Sequence, residues 1–200
     1  MSLIKLNDRA VKDITQFGSI SSLGSLTHIS TATASSSASI EFTSGIDSTY
    51  KEYIFYFVDI HPSAQATFSF NMSSDGGSNY NVTKTTTAFR SLHNENDGSA
   101  FLSYESGNDL AQSTAYQYIS DLKNNDSDSC VAGYLHLFNP SSTTFVKHYL
   151  SNTNCMQRDN RSVQWFSAGY GNTTSSINAV DFKFDSGNID AGQILLFGVN

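Results

Sequence analysis

Five histidines, His28, His61, His93, His136 and His148, are the side chains of this sequence best suited to metal binding or proton transfer. None stands in a His-Glu-x-x-His pair and none has a Cys-x-x-Cys partner, the spacings that let one short segment hold zinc. His136 and His148 fall on neighbouring strand-like runs, so a shared metal is conceivable, but two ordinary strand histidines are the simpler reading. Asn124-Asn125-Asp126-Ser127-Asp128-Ser129 sets oxygen ligands at alternate positions, as a calcium loop does. It lacks a glycine at the sixth position, and Leu135 stands where the twelfth-position glutamate belongs, which favours a solvated turn.

A hydrolase of the serine type needs a nucleophile, a base and an oxyanion donor, and no Gly-x-Ser-x-Gly elbow is present. Glycoside cleavage needs two carboxyl groups across a cleft. Glu52, Asp59, Glu95, Glu105, Asp109 and Asp181 qualify by type alone, since no spacing pairs any two of them. No catalytic, cofactor-binding or metal-binding residue is assigned, and the chain is read as non-enzymatic. Cys130 and Cys155 follow no recognisable secretory leader, which favours reduced core thiols and leaves a bridge as the alternative.

The composition points the same way. Of 200 residues, 33 are Ser, 17 Thr and 17 Asn, while only 14% are charged, so the surface is wetted by hydroxyls and amides. Fourteen Phe and ten Tyr supply the apolar area that disordered chains lack. A formal charge of −7 and eleven scattered basic residues exclude a phosphate-backbone partner. No apolar run approaches a membrane span, and charges at Lys5, Asp8 and Arg9 interrupt the N-terminus where a signal peptide needs an apolar stretch.

What must position any site is a set of strands. From Leu26 onward, short alternating runs are broken by turn residues, the pattern of sandwiches and barrels. Ile40 and Phe42 flank Glu41 in a half-buried strand. Tyr53–Val58 is apolar at every position and predicts a central strand covered on both sides, stopping near Pro62. The alternation in 66–72, the Ser74–Ser78 turn and Tyr80–Phe89 predict a hairpin. His93–Asp128 reads as an exposed insertion around a short Ala100–Tyr104 strand. Val131–Phe138 and Phe145–Leu150 flank Asn139–Thr143 as a second hairpin. Ser162–Tyr170, Ala179–Phe184 and Gln193–Val199 complete about ten strands, the last apolar on both faces and expected to lie against the opposite sheet. The alternation around Trp165 favours a core position over an exposed platform. The expected fold is an all-β, jelly-roll-like antiparallel β-sandwich over 25–200, preceded by an anchoring arm and linker over 1–24. In the arm, 8–17 suits a short helix and 3–6 a strand, and Ile4, Leu6, Val11, Ile14 and Phe17 are its candidate docking residues.

Four segments carry a family likeness: Ile4-Lys5-Leu6-Asn7 with Arg9-Ala10-Val11-Lys12, Tyr50–Tyr53 with Asp59–Pro62, Leu137–Thr143, and Ser186–Gly192. In these the chain resembles short virion proteins of tailed phages that infect marine bacteria. The resemblance implies a non-enzymatic particle component displayed on the outside, either a capsid decoration (cement) protein or a tail-fibre subunit. It implies other virion proteins as partners, a homo-oligomer with a trimer favoured, and location in the virion after synthesis in the host cytoplasm. A carbohydrate-binding adhesin, with an aromatic-lined site near His93–Asn108 and a host glycan as ligand, is the alternative.

Overall fold

A computed structural model describes residues 26–199, which form twelve strands and, among those residues, no helix. In chain order they are β1 (Leu26–Thr33), β2 (Ile40–Phe42), β3 (Glu52–Pro62), β4 (Phe68–Ser73), β5 (Lys84–Asn94) and β6 (Ala100–Tyr104). Then follow β7 (Gln117–Tyr118), β8 (Val131–Phe138), β9 (Lys147–Gln157), β10 (Arg161–Gly171), β11 (Ala179–Phe184) and β12 (Ile189–Val199). They make two antiparallel sheets, one ordered β1-β12-β3-β8-β9-β10-β5-β6 and the other β2-β11-β4-β7, packed as a β-sandwich. The arm expected over 1–24, with Ile4, Leu6, Val11, Ile14 and Phe17, lies outside the described residues.

Alternation decides which side chains meet between the sheets. Tyr53, Phe55 and Phe57 of β3, Leu135 and Leu137 of β8, and Ile194 and Leu196 of β12 point inward and are buried. Phe68, Phe70 and Met72 of β4 and Val180, Phe182 and Phe184 of β11 meet them from the smaller sheet. Phe182 is the hub. Its ring lies 5.1 Å from Phe55 and 5.3 Å from Phe57 across the interface, and 6.2, 6.0 and 6.3 Å from Phe42, Phe68 and Phe70 on neighbouring strands. These separations lie in the range where edge-to-face and offset rings attract.

One sheet is twice as wide as the other: Tyr149 of β9 still meets Phe70 of β4 at 4.8 Å, but the rest of β9, β10, β5 and β6 needs further cover. Their inward residues include the polar Thr86, Ser151, Thr153, Gln157 and Ser167, all buried. Segment 117–124 lies over them through side-chain bonds to backbone. Thr153 Oγ1 donates to the Ile119 carbonyl at 2.5 Å, Trp165 Nε1 to the Tyr118 carbonyl at 3.2 Å, and Gln157 Nε2 to the Asp121 carbonyl at 2.9 Å. Ile119 and Leu122 fill the space between.

Several expectations hold: Ile40 and Phe42 are buried while Glu41 is exposed, Trp165 lies in the core, β8 and β9 pair, and β3 ends at Pro62. Others need correction. β4 and β5 are no hairpin: β4 pairs β11 and β7 while β5 pairs β10 and β6, because after the Gly76-Gly77 turn the chain crosses to the other sheet. The stretch 93–128 is not exposed throughout, since 117–122 is largely buried. β12 packs Ile194 and Leu196 against the opposite sheet as expected, but β3 is fully covered on its inward side only, with Ile54 buried on the other. Val58 is 42% exposed, and Tyr56, Leu195 and Phe197 are half-buried on an outward face that nothing in the described residues overlies.

Removing the Phe182 ring leaves a cavity at the contact of five other rings. Phe182→Ala is expected to cost about 3–5 kcal/mol and to lower Tm by roughly 10 °C. Phe145→Ala, at a side chain 68% exposed, should leave Tm nearly unchanged. Differential scanning calorimetry of the two variants checks both.

Candidate functional site

The histidines are dispersed, each with its own neighbour. His28 bonds the Thr31 hydroxyl at 2.8 Å, His61 Nδ1 the Ser129 carbonyl at 2.6 Å, and His93 the Asp97 carboxylate at 2.9 Å. His136 Nδ1 pairs with Glu52, while His148 lies beside the Tyr170 ring at 6.1 Å. His136 registers with Leu150 rather than with His148. No group of three or more His, Cys, Asp or Glu side chains among the described residues gathers as metal ligands do. In 124–129, Ser129 N–H donates to the Asp126 carbonyl at 2.9 Å and Asp126 N–H to Asn124 Oδ1 at 3.3 Å, which closes a turn.

The six candidate carboxylates are equally separate from one another, although Asp181 registers with Glu41 across the β2–β11 ladder. Glu105 forms an ion pair with Arg90 Nε at 2.8 Å, Asp109 accepts from the Tyr104 hydroxyl at 2.5 Å, and Asp181 accepts from the Tyr116 hydroxyl at 2.7 Å. Asp59 lies 3.9 Å from the Cys130 thiol, and Glu95 lines a depression at one end of the larger sheet. Cys130 and Cys155 are free thiols, and burial pushes Cys155 up to about 12 and raises Cys130 as well. Neither is the low-pKa, exposed thiolate that reactive cysteines require.

Two buried polar centres were not legible in the sequence. Asp121, 3% exposed, is held by Arg90, by Lys123 Nζ at 2.7 Å and by Gln157 Nε2 at 2.6 Å, and so ties segment 117–124 to β5 and β9. Lys84 is fully buried, its ammonium donating to Asn71 Oδ1 and to the Val82 carbonyl at 2.8 Å. Burial lowers its pKa to about 7. Such amines occur in active sites, but this one has no exposed surface through which a substrate could reach it.

What the fold does present is the outward face of the larger sheet. Register lines up one residue from each strand in a row that runs across it: Tyr104, Phe89, Phe166, Asn152, Tyr134, Tyr56, Leu195 and Thr31. Five of the eight are aromatic. Phe89 and Phe166 stack at 4.7 Å with 14° between planes, and Tyr56 meets Tyr134 and Phe197 edge-on at 6.3 and 5.6 Å. Beside this belt, Phe89, Tyr134, His136, Leu150, Asn152, Phe166 and Ala168 help line a groove of about 370 Å³. A second groove of about 410 Å³ continues over Phe138, His148, Leu150, Ala168 and Tyr170. Leu150, shared by both, is 52% exposed.

The arrangement offers a binding surface: flat rings and aliphatic groups, with the amide of Asn152 and the Glu52–His136 pair as polar contacts. By contrast, the 280 Å³ depression beside His93 and Glu95 is lined by Asn154, Cys155, Met156, Asn160, Arg161 and Ser162 and holds no Phe, Tyr or Trp. No family model, curated protein or solved structure matches this chain.

Lys84 gives a pH signature. The unfolded amine stays protonated up to its ordinary value of 10.5, whereas the folded one loses its proton near 7. The unfolded state therefore holds more protons between those limits, so stability from this group falls as pH drops from about 10.5 to about 7 and then levels off. Relative to Lys84→Met, the wild type should gain stability with rising pH across that window, by up to ~1.4 kcal/mol per pH unit. Urea unfolding of both at several pH values measures the difference. The hydrogen bonds lost from Asn71 and Val82 offset the variant at every pH and leave the slope comparison intact.

Proposed function

We propose that this chain is a non-enzymatic structural component displayed on the outside of a tailed-phage particle, a capsid decoration or cement protein or a tail-fibre subunit. The observation that carries the reading is the aromatic belt on the open face of the larger sheet. Contiguous exposed apolar surface on a folded domain marks a surface made for contact, and aromatic residues are the anchors that interfaces favour. The contacts proposed for it are other virion proteins, with the arm over 1–24 as the anchor.

The strand order supports this. Without β9, β10, β5 and β6, the sheets reduce to β1-β12-β3-β8 over β2-β11-β4-β7, with the chain changing sheets at each step from β1 to β4. We read this as a jelly roll carrying two inserted strand pairs, an architecture that viral capsid domains and lectins share. Fold alone does not name a function, and the virion assignment draws on the likeness in segments such as Leu137–Thr143.

The second reading is a carbohydrate-binding adhesin, favoured by amides set beside rings: Gln164 Nε2 donates to Asn152 Oδ1 at 3.1 Å next to Phe166. Sugars stack on rings and bond amides, but the belt holds no Trp and the adjoining groove is lined by Phe89, Phe166 and Leu150, which suits protein contact better. Leu150→Asp and Phe166→Asp are expected to reduce incorporation into particles at least several-fold while leaving the fold intact by circular dichroism. Deleting residues 1–24 should abolish incorporation. Normal incorporation of all three, with glycan-array binding that Phe166→Asp removes, would instead establish the adhesin.

A further inference from the structure

A β-sheet whose rim ends in bare backbone invites another strand, and proteins blunt such edges with short strands, bulges, charges or proline. Of the four edges here, β2 has three residues and β7 two, and β1 is broken by a register shift between His28 and Ser30. β6, Ala100-Phe101-Leu102-Ser103-Tyr104, has no such device: five regular residues with no charge and no proline. Phe101 is 44%, Leu102 71% and Tyr104 56% exposed, so nothing within the described residues covers it.

The ladder shows which backbone groups are free. Asn94 N–H donates to the Ser99 carbonyl and Glu105 N–H to the Ala88 carbonyl, both at 2.9 Å, so odd-numbered residues of this stretch turn their backbone toward β5. In an antiparallel pair the bonding direction alternates. Ala100, Leu102 and Tyr104 therefore aim N–H and C=O away from β5, where no described strand pairs with them, and their side chains lie on the same outward face as the belt, where Tyr104 registers with Phe89.

We infer that β6 is a self-association edge, pairing antiparallel with β6 of a second copy about a two-fold axis at Leu102. In that register Leu102 faces its own counterpart and Ala100 faces Tyr104 of the other copy. All three are the residues with free backbone groups, so each pair exchanges two hydrogen bonds. On the outward face Leu meets Leu and Tyr meets Ala, and on the inward face Phe101 meets Ser103. Apolar groups meet apolar or small ones with no charge placed against a like charge, although the whole chain carries −7. The two larger sheets become one continuous sheet, and their belts join into one surface. Pairing of β6 with β1, which would build rings or fibres, is opposed by the shift in β1. The expected assembly is thus a two-fold dimer in place of the trimer that the family likeness implies.

Sedimentation velocity of the full chain over a wide concentration range tests this. The wild type should dimerise reversibly. Leu102→Lys sets two ammonium groups opposite each other and should weaken the dimer by about tenfold or more. Leu102→Pro removes the central N–H and should do the same; for both, an unchanged circular dichroism spectrum and Tm show that the fold survives. In a Cys130→Ser background, Leu102→Cys should form a disulfide-linked dimer on mild oxidation, and Ser91→Cys, one strand inward, should not. A wild type that stays monomeric, a three-fold assembly, or a dimer that both Leu102 variants leave intact would overturn the inference.

Discussion

Phe182 lies at the centre of the ring contacts that join the two sheets, and the sandwich is organised around it. Its ring touches β3 across the interface and β2 and β4 beside it, so four strands far apart in sequence share one packing contact. That contact can form only if β11 lies between β2 and β4 and if β3 sits near the middle of the larger sheet. A one-residue slip in β11 would turn Phe182 outward and bring Asp181 and Lys183 into the core, an exchange that burial energetics forbids. Register, strand order and sheet pairing are thus consequences of burying one row of rings.

The wider half of the molecule follows another rule. Beyond β8 the smaller sheet reaches the larger one only through Phe70 on Tyr149 and the two-residue β7, and the remaining space is closed by hydrogen bonds to segment 117–124. Asp121 anchors it among Arg90, Lys123 and Gln157, and Thr153 and Trp165 bind its carbonyls. Such networks specify one arrangement because a half-satisfied buried polar group is costly. The outer face of the smaller sheet is closed in the same manner, by Tyr80 on Glu41 and Tyr116 on Asp181. Among the described residues this leaves the larger sheet's outward face as the broad surface still open, and the proposed contacts are placed there.

The belt and the bare edge belong together. Tyr104 is both the last ring of the cross-strand row and a residue of β6 with free backbone groups. A particle protein of the kind proposed would gain from that continuity, since two copies joined at β6 present one extended aromatic surface to a lattice or fibre. Contacts made by two linked copies reinforce each other without any new interaction in either.

Alternation alone marked much of the sandwich. Ile40 and Phe42 about Glu41, the inward Phe68, Phe70 and Met72, the turn between β8 and β9, and the core position of Trp165 were legible because period-two patterns report directly which side is buried. The same rule misread Tyr53–Val58, where apolar residues on both faces suggested double cover; Tyr56 belongs instead to the open belt and Val58 is exposed. It also missed 117–124, because Asp121, Gln117 and Ser120 carry no apolar period and are buried by side-chain bonds to backbone. Sequence by itself thus determined that the chain builds strands and which residues alternate. Only tertiary structure decided that β4 and β5 part company, that Lys84 and Asp121 are buried, and that rings from five strands align in one row. The physical reason is range: alternation is a property of neighbours in the chain, whereas strand order, cover and cross-strand alignment depend on contacts between residues tens of positions apart.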